Sequence, residues 1–143
     1  AEEAFVLALQ NHKKNNFQIA ENLYKEVLKI NPNHFESIYY LGTLLVQTKR
    51  FDLAKSLLHK AIQIQPNYAK AYNNLGKVFR ELNKFNKSAS YYEKALKLDP
   101  NREETCLGYG NLLLKFNQHD KALPYIKKAT GFISFTQKDF KII

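Results

Sequence analysis

Histidine carries the most versatile side chain in this sequence, yet its placement offers no catalysis. His12, His34, His59 and His119 form no close ligand pair and share no face with carboxylates, so no metal site is expected. Glycine-rich phosphate loops and serine-nucleophile elbows are absent from the sequence. The expectation is a chain that is not an enzyme and takes no cofactor. Amide, cationic and aromatic side chains offer binding chemistry instead. Asn73, Asn74 and Asn111 can each donate and accept hydrogen bonds, while Lys70, Lys77, Arg80 and Lys115 are cationic donors. Tyr39 and Tyr40, with Thr43 beside them, present flat amphipathic surface of the type enriched at binding hot spots.

The elements that must position these residues are set by proline. Asn31-Pro32-Asn33, Gln65-Pro66-Asn67 and Asp99-Pro100-Asn101 recur at intervals of 34 residues. Proline lacks a donor N–H and pushes the residue before it out of the helical region, so each triplet ends a helix, and the asparagine after it is expected to cap the next one. One interval then holds two helices and two turns. Apolar residues return in a fixed register, as Ile38, Leu41, Gly42, Leu45, Ala54, Leu58, Ala61 and Ile64 in the second interval and Tyr72, Leu75, Gly76, Phe79, Ser88, Tyr92, Ala95 and Leu98 in the third. The first interval carries Leu7, Ala8, Ala20, Tyr24, Val27 and Ile30, and the fourth Cys106, Tyr109, Gly110, Leu113, Ala122 and Ile126. Spacing by three and four puts each set on one helical face. Cys106 stands where Ile38 and Tyr72 stand, which makes it a packing thiol rather than a nucleophile. Glycine inside a helix is unfavourable by about 1 kcal/mol relative to alanine. Its return at Gly42, Gly76 and Gly110 predicts a close approach of the second helix at Ala54, Ser88 or Ala122.

These residues resemble the tetratricopeptide repeat. Tyr72, Leu75-Gly76, Phe79, Ser88, Tyr92, Ala95 and Pro100 follow its pattern of aromatic, Leu-Gly, aromatic, small, aromatic, Ala and Pro. The first unit replaces the glycine by Ala8, and the fourth lacks the terminal proline. The resemblance implies an all-α fold, a right-handed superhelix of about four helix-turn-helix units. They occupy about 1–34, 35–68, 69–102 and 103–131 within an array of residues 1–131. Residues 132–143 form a tail, a cap or a linker to a further domain.

Function in this family sits on the inner surface formed by the first helix of each pair. The corresponding positions are Phe5, Leu9 and His12; Glu36, Tyr39, Tyr40, Thr43 and Gln47; Lys70, Asn73, Asn74, Lys77 and Arg80; and Glu104, Leu107, Gly108, Asn111 and Lys115. The resemblance therefore implies peptide binding at Tyr39, Tyr40, Thr43, Lys70, Asn73, Asn74, Lys77, Arg80, Asn111 and Lys115. The carboxylate clamp of chaperone-tail receptors in this family matches only Lys70 in one register and only Asn74 in the other. The asparagine ladder of O-linked sugar transferases keeps one rung, Asn74, with Tyr40 and Gly108 at the others. The implied function is a scaffold for protein or peptide ligands that holds an extended acidic segment or a chain-terminal carboxylate in its concave groove. The alternatives are the substrate-recruiting N-terminal region of a larger glycosyltransferase, sulfotransferase or oxygenase, and a scaffold that self-assembles through exposed array ends.

Net charge is +9, with lysines such as Lys25, Lys29, Lys94, Lys97, Lys127 and Lys128 on the second helices. Their spread along the array, without a nucleic-acid motif, reads as a solvated face and predicts no specific nucleic-acid partner. No apolar run approaches the length of a membrane span. A single cysteine permits no internal disulfide, which agrees with the expected cytoplasmic location. Beyond Thr130 the pattern changes. Gly131 suits a helix C-terminus, Thr136-Gln137-Lys138-Asp139 resembles a helix start, and Phe132, Ile133, Phe135, Phe140, Ile142 and Ile143 would cover the open end of the stack.

Overall fold

The computed structural model describes residues 2–130. These form eight helices: α1 (Glu2–Lys13), α2 (Phe17–Ile30), α3 (Phe35–Gln47), α4 (Phe51–Ile64), α5 (Ala69–Glu81), α6 (Phe85–Leu98), α7 (Glu103–Lys115) and α8 (His119–Thr130). No strand occurs among the described residues. Taken in pairs, the helices span 2–30, 35–64, 69–98 and 103–130. They pack as two compact units, Ala1–Asn74 and Leu75–Ile143, which divide within α5.

Each proline triplet ends its helix as the chemistry requires. Asn31, Gln65 and Asp99 leave the helical region at φ −131°, −127° and −145°, while their N–H groups still reach the carbonyls of Val27, Ala61 and Ala95. The asparagine after the proline does not cap the next helix. In the first triplet Asn33 instead donates its own N–H to Asn31 Oδ1 at 3.2 Å, and the side chain that caps α3 is His34, which accepts from the Ser37 N–H. The turn inside each pair has a different signature. Asn15, Lys49, Asn83 and Asn117 adopt left-handed φ of 63°, 62°, 60° and 59°. Asn16, Arg50, Lys84 and Gln118 then donate back to the carbonyls of Asn11, Leu45, Phe79 and Leu113 at 2.8 to 2.9 Å. Three of the four left-handed residues are asparagine, the side chain besides glycine that best tolerates this conformation.

In the first unit Ala8, Ala20, Tyr24, Ile38, Leu44, Ala54, Leu58 and Ala61 are at most 1% exposed. Each fully buried leucine or isoleucine among them contributes about 1.5–3 kcal/mol. Leu7, Ile30 and Ile64, which share the apolar register, are exposed instead, by 47%, 71% and 38%. Leu41, one interval after Leu7, is buried on α3, which packs on α2. Ile30 and Ile64 are the last residues of their helices, where the chain turns away.

In the second unit Tyr92, Tyr109, Leu112, Leu113 and Ala122 form the core. The recurrent glycines do mark close approach, but to a larger neighbour than the sequence suggested. A Cβ on Gly42 would stand 3.1 Å from Leu58, one on Gly76 2.7 Å from the Tyr92 ring, and one on Gly110 2.8 Å from Ile126. Ser88 reaches Gly76 differently, through a hydroxyl that donates to the glycine carbonyl at 2.6 Å. Cys106 is fully buried, its Sγ 3.5 Å from the Pro100 carbonyl, and burial raises its thiol pKa. The expected tail structure at residues 131–143 lies outside the described residues.

Candidate functional site

Near the ends of α1 and α3 the first unit opens into a cavity of about 360 Å³. Leu9, His12 and Lys13 of α1, Asn15 of the left-handed turn, and Tyr40, Thr43 and Gln47 of α3 line it. His12 ties the two helices together. Its Nε2 lies 2.6 Å from Gln47 Oε1 and its Nδ1 2.9 Å from the Tyr24 hydroxyl. Because an amide oxygen only accepts, Nε2 carries the proton, and in the neutral ring Nδ1 accepts from Tyr24. Burial, and secondarily the neighbouring Tyr40, push the Tyr24 phenol well above the usual tyrosine value, so it remains a donor. The Tyr24 and Tyr40 rings stack at 6.5 Å and 9°, which gives the cavity an aromatic wall over a buried base. With Oε1 engaged, the Gln47 amide group is left to donate outward, next to exposed Lys13.

Other predicted residues of this unit are less open. Tyr39 is only 7% exposed and packs among Phe35, Tyr68 and Tyr40, so it supports the face rather than forming it. Asn73 is 1% exposed, and its Oδ1 has no partner. Asn74 is 6% exposed and donates from Nδ2 to Thr43 Oγ1 at 3.0 Å, while the Thr43 hydroxyl donates to the Tyr39 carbonyl. Both asparagines were expected on an open surface. Both are covered, and Asn74 holds α5 to α3. Lys70, on the first turn of α5, is exposed.

In the second unit the predicted cations have partners of their own. Lys77 pairs with Glu104, which Arg102 also approaches, and Arg80 lies 3.6 Å from Glu81. Lys115 holds its ammonium 5.0 Å over the Phe85 ring. Asn111 is exposed. Gly108, read as a missing rung on an open surface, is buried against the Tyr92 ring. Leu9, His12 and Gln47 belong to the inner-surface positions, although their role was not assigned from sequence, and Lys13 and Asn15 fell outside that register. The available signal for Asn15 was an asparagine at the turn between paired helices. Among the described residues no group of three or more His, Cys, Asp or Glu could hold a metal ion, and no helix is long and apolar enough to cross a membrane.

Models of the tetratricopeptide repeat match residues 12–78, 69–102 and 103–133. The chain belongs to this family. Its all-α repeat fold is shared with solved structures. "MamA 41-end from Desulfovibrio magneticus RS-1" matches with a TM-score of 0.83 at 25% identity, over 91% of this chain and 73% of that one. MamA AMB-1 matches with a TM-score of 0.73 at 26% identity, over 90% and 75%. For pilF of Pseudomonas aeruginosa the TM-score is 0.81 at 24% identity, over 90% of this chain and 59% of that one, a likeness of fold alone. No curated protein matches in sequence. A tetratricopeptide repeat array with these neighbours is a protein-binding scaffold.

Proposed function

We propose that this scaffold is not itself catalytic and holds an extended, acidic or carboxylate-bearing segment of a partner protein on the α1–α3 face of its first unit. The cavity between Leu9, His12, Lys13 and Tyr40 carries this reading. Leu9 and the Tyr40 ring supply apolar surface for a ligand side chain, while the Gln47 amide and Lys13 supply donors with no carboxylate in the lining to answer them. The chain-wide excess of +9 favours an acidic segment in the same sense, since complementary charge speeds encounter and sets register.

Peptides selected from a random library against the full chain test the proposal. Titration followed by amide chemical shifts should perturb Leu9, Tyr40 and Gln47, and the selected sequences should be rich in Asp and Glu. Lys13→Glu should weaken capture about tenfold, the effect of about 1.4 kcal/mol. Shifts confined to α2 and α4, or capture indifferent to Lys13→Glu, would contradict it.

A further inference from the structure

Between α6 and α8 the second unit opens a cavity of about 660 Å³, on the side of its second helices. Glu93, Lys94 and Lys97 fall on one stripe of α6, by spacing of three and four, while Lys121 and Tyr125 line the cavity from α8. Tyr109 of α7 lies beneath them, 4% exposed, and its hydroxyl donates to Glu93 Oε2 at 2.7 Å. Burial, and then that carboxylate, push the phenol well above the usual tyrosine value, so it remains a donor and keeps Glu93 in place. The half-buried Tyr125 ring meets the Tyr109 ring edge-on at 4.9 Å. Two intervals earlier the positions of Tyr109, Lys121 and Tyr125 hold Leu41, Leu53 and Leu57, so this arrangement belongs to the second unit.

Lys97 and Lys121 are exposed, and among the described residues neither pairs with a carboxylate. Two unanswered ammonium groups attract negative charge. Leu96 and the open part of the Tyr125 ring offer apolar surface between them for a large side chain. Glu93 narrows the choice of ligand. A carboxylate fixed among lysines repels a polyphosphate strand, and only a donor can answer it, which a peptide N–H supplies.

We infer that the groove between α6 and α8 docks an acidic segment of a partner protein in which Asp or Glu flanks a large apolar residue. The carboxylates of the segment pair with Lys97 and Lys121, the apolar side chain packs on Tyr125, and a backbone N–H donates to Glu93. This groove lies on other helices than the α1–α3 cavity and does not depend on the function proposed above.

Amide chemical shifts of the full chain, titrated with acetyl-Glu-Phe-Glu-amide, test the inference. Leu96, Lys97 and Tyr125 should respond, and Lys97→Glu and Lys121→Glu should each weaken binding at these amides about tenfold. Both lysines are exposed, so each variant should keep the urea midpoint of the native chain. Lys29→Glu makes the same charge change at the matching position of α2, and Tyr40→Ala alters the first-unit cavity; both should leave affinity at these amides within about twofold. The glutamine version of the probe should bind about tenfold more weakly or worse. Unchanged affinity in Lys97→Glu or Lys121→Glu, an equal loss in Lys29→Glu, or loss of the shifts in Tyr40→Ala would overturn the inference. So would equal binding of the glutamine probe, tighter binding of a thymidine oligonucleotide at the same amides, or the same shifts on raising the protein concentration without probe.

Discussion

Gln47, the last residue of α3, accepts a hydrogen bond from His12 near the end of α1, 35 positions earlier in the chain, at 2.6 Å. His12 in turn accepts from buried Tyr24, so one imidazole joins α1, α2 and α3. Replacing His12 by Phe keeps most of the aromatic volume and strands the Tyr24 hydroxyl. The expected loss is about 1–3 kcal/mol. Gln47 is exposed, so Gln47→Ala should cost less than about 1 kcal/mol. Urea unfolding of the two variants checks the order, and equal losses would show that the bond to Tyr24 contributes nothing.

Glycine substitutions should rank by what the new methyl group meets. Gly76→Ala places a Cβ 2.7 to 2.9 Å from the rigid Tyr92 ring, which is already fully buried, and should destabilise by about 1–3 kcal/mol. Gly42→Ala meets the Leu58 side chain at 3.1 Å. A leucine can shift by a few tenths of an ångström, and alanine gains about 1 kcal/mol of helix propensity. This variant should therefore be close to neutral. Thermal melting of the pair would refute the account if Gly42→Ala were the more damaging.

Glu21 provides a pH-dependent contribution. It is 5% exposed on α2 and pairs with Lys25 and with Arg50 from the turn before α4. Burial acts to raise its carboxyl, but the two cations together hold it below the usual value of 4.5. A group depressed on folding stabilises the protein fully above its unfolded pKa, and that stability is lost as pH falls through the lower folded value. Stability should therefore fall as pH drops below about 4.5. Glu21→Gln should flatten this part of the decline, as read from urea midpoints between pH 7 and pH 3. The same slope in both proteins would contradict the assignment.

Proline and glycine made most of the fold legible. The triplets around Pro32, Pro66 and Pro100 act through their own backbone chemistry, which no tertiary contact overrides, and the helix pairs follow. The site was legible in part. The family resemblance places Tyr39 and Asn73 on an inner surface, but whether a residue there is open depends on neighbours from other elements. Phe35 and Tyr68 enclose Tyr39, a contact that no single-helix period contains. The pairing of Lys77 with Glu104 joins α5 to α7 and removes a cation that composition counts as available. His12 was dismissed as a ligand for want of a nearby histidine, whereas its partners are a tyrosine and an amide on two other helices.

Affinity for a library-selected acidic peptide, compared among the native chain, Tyr40→Ala and Lys29→Ala, tests the central claim most directly. Tyr40 lines the α1–α3 cavity, and Lys29 is exposed on α2. The account predicts that Tyr40→Ala weakens binding by about tenfold or more and that Lys29→Ala leaves it within about twofold. Equal affinity in the native chain and Tyr40→Ala, or a larger loss in Lys29→Ala, would contradict it.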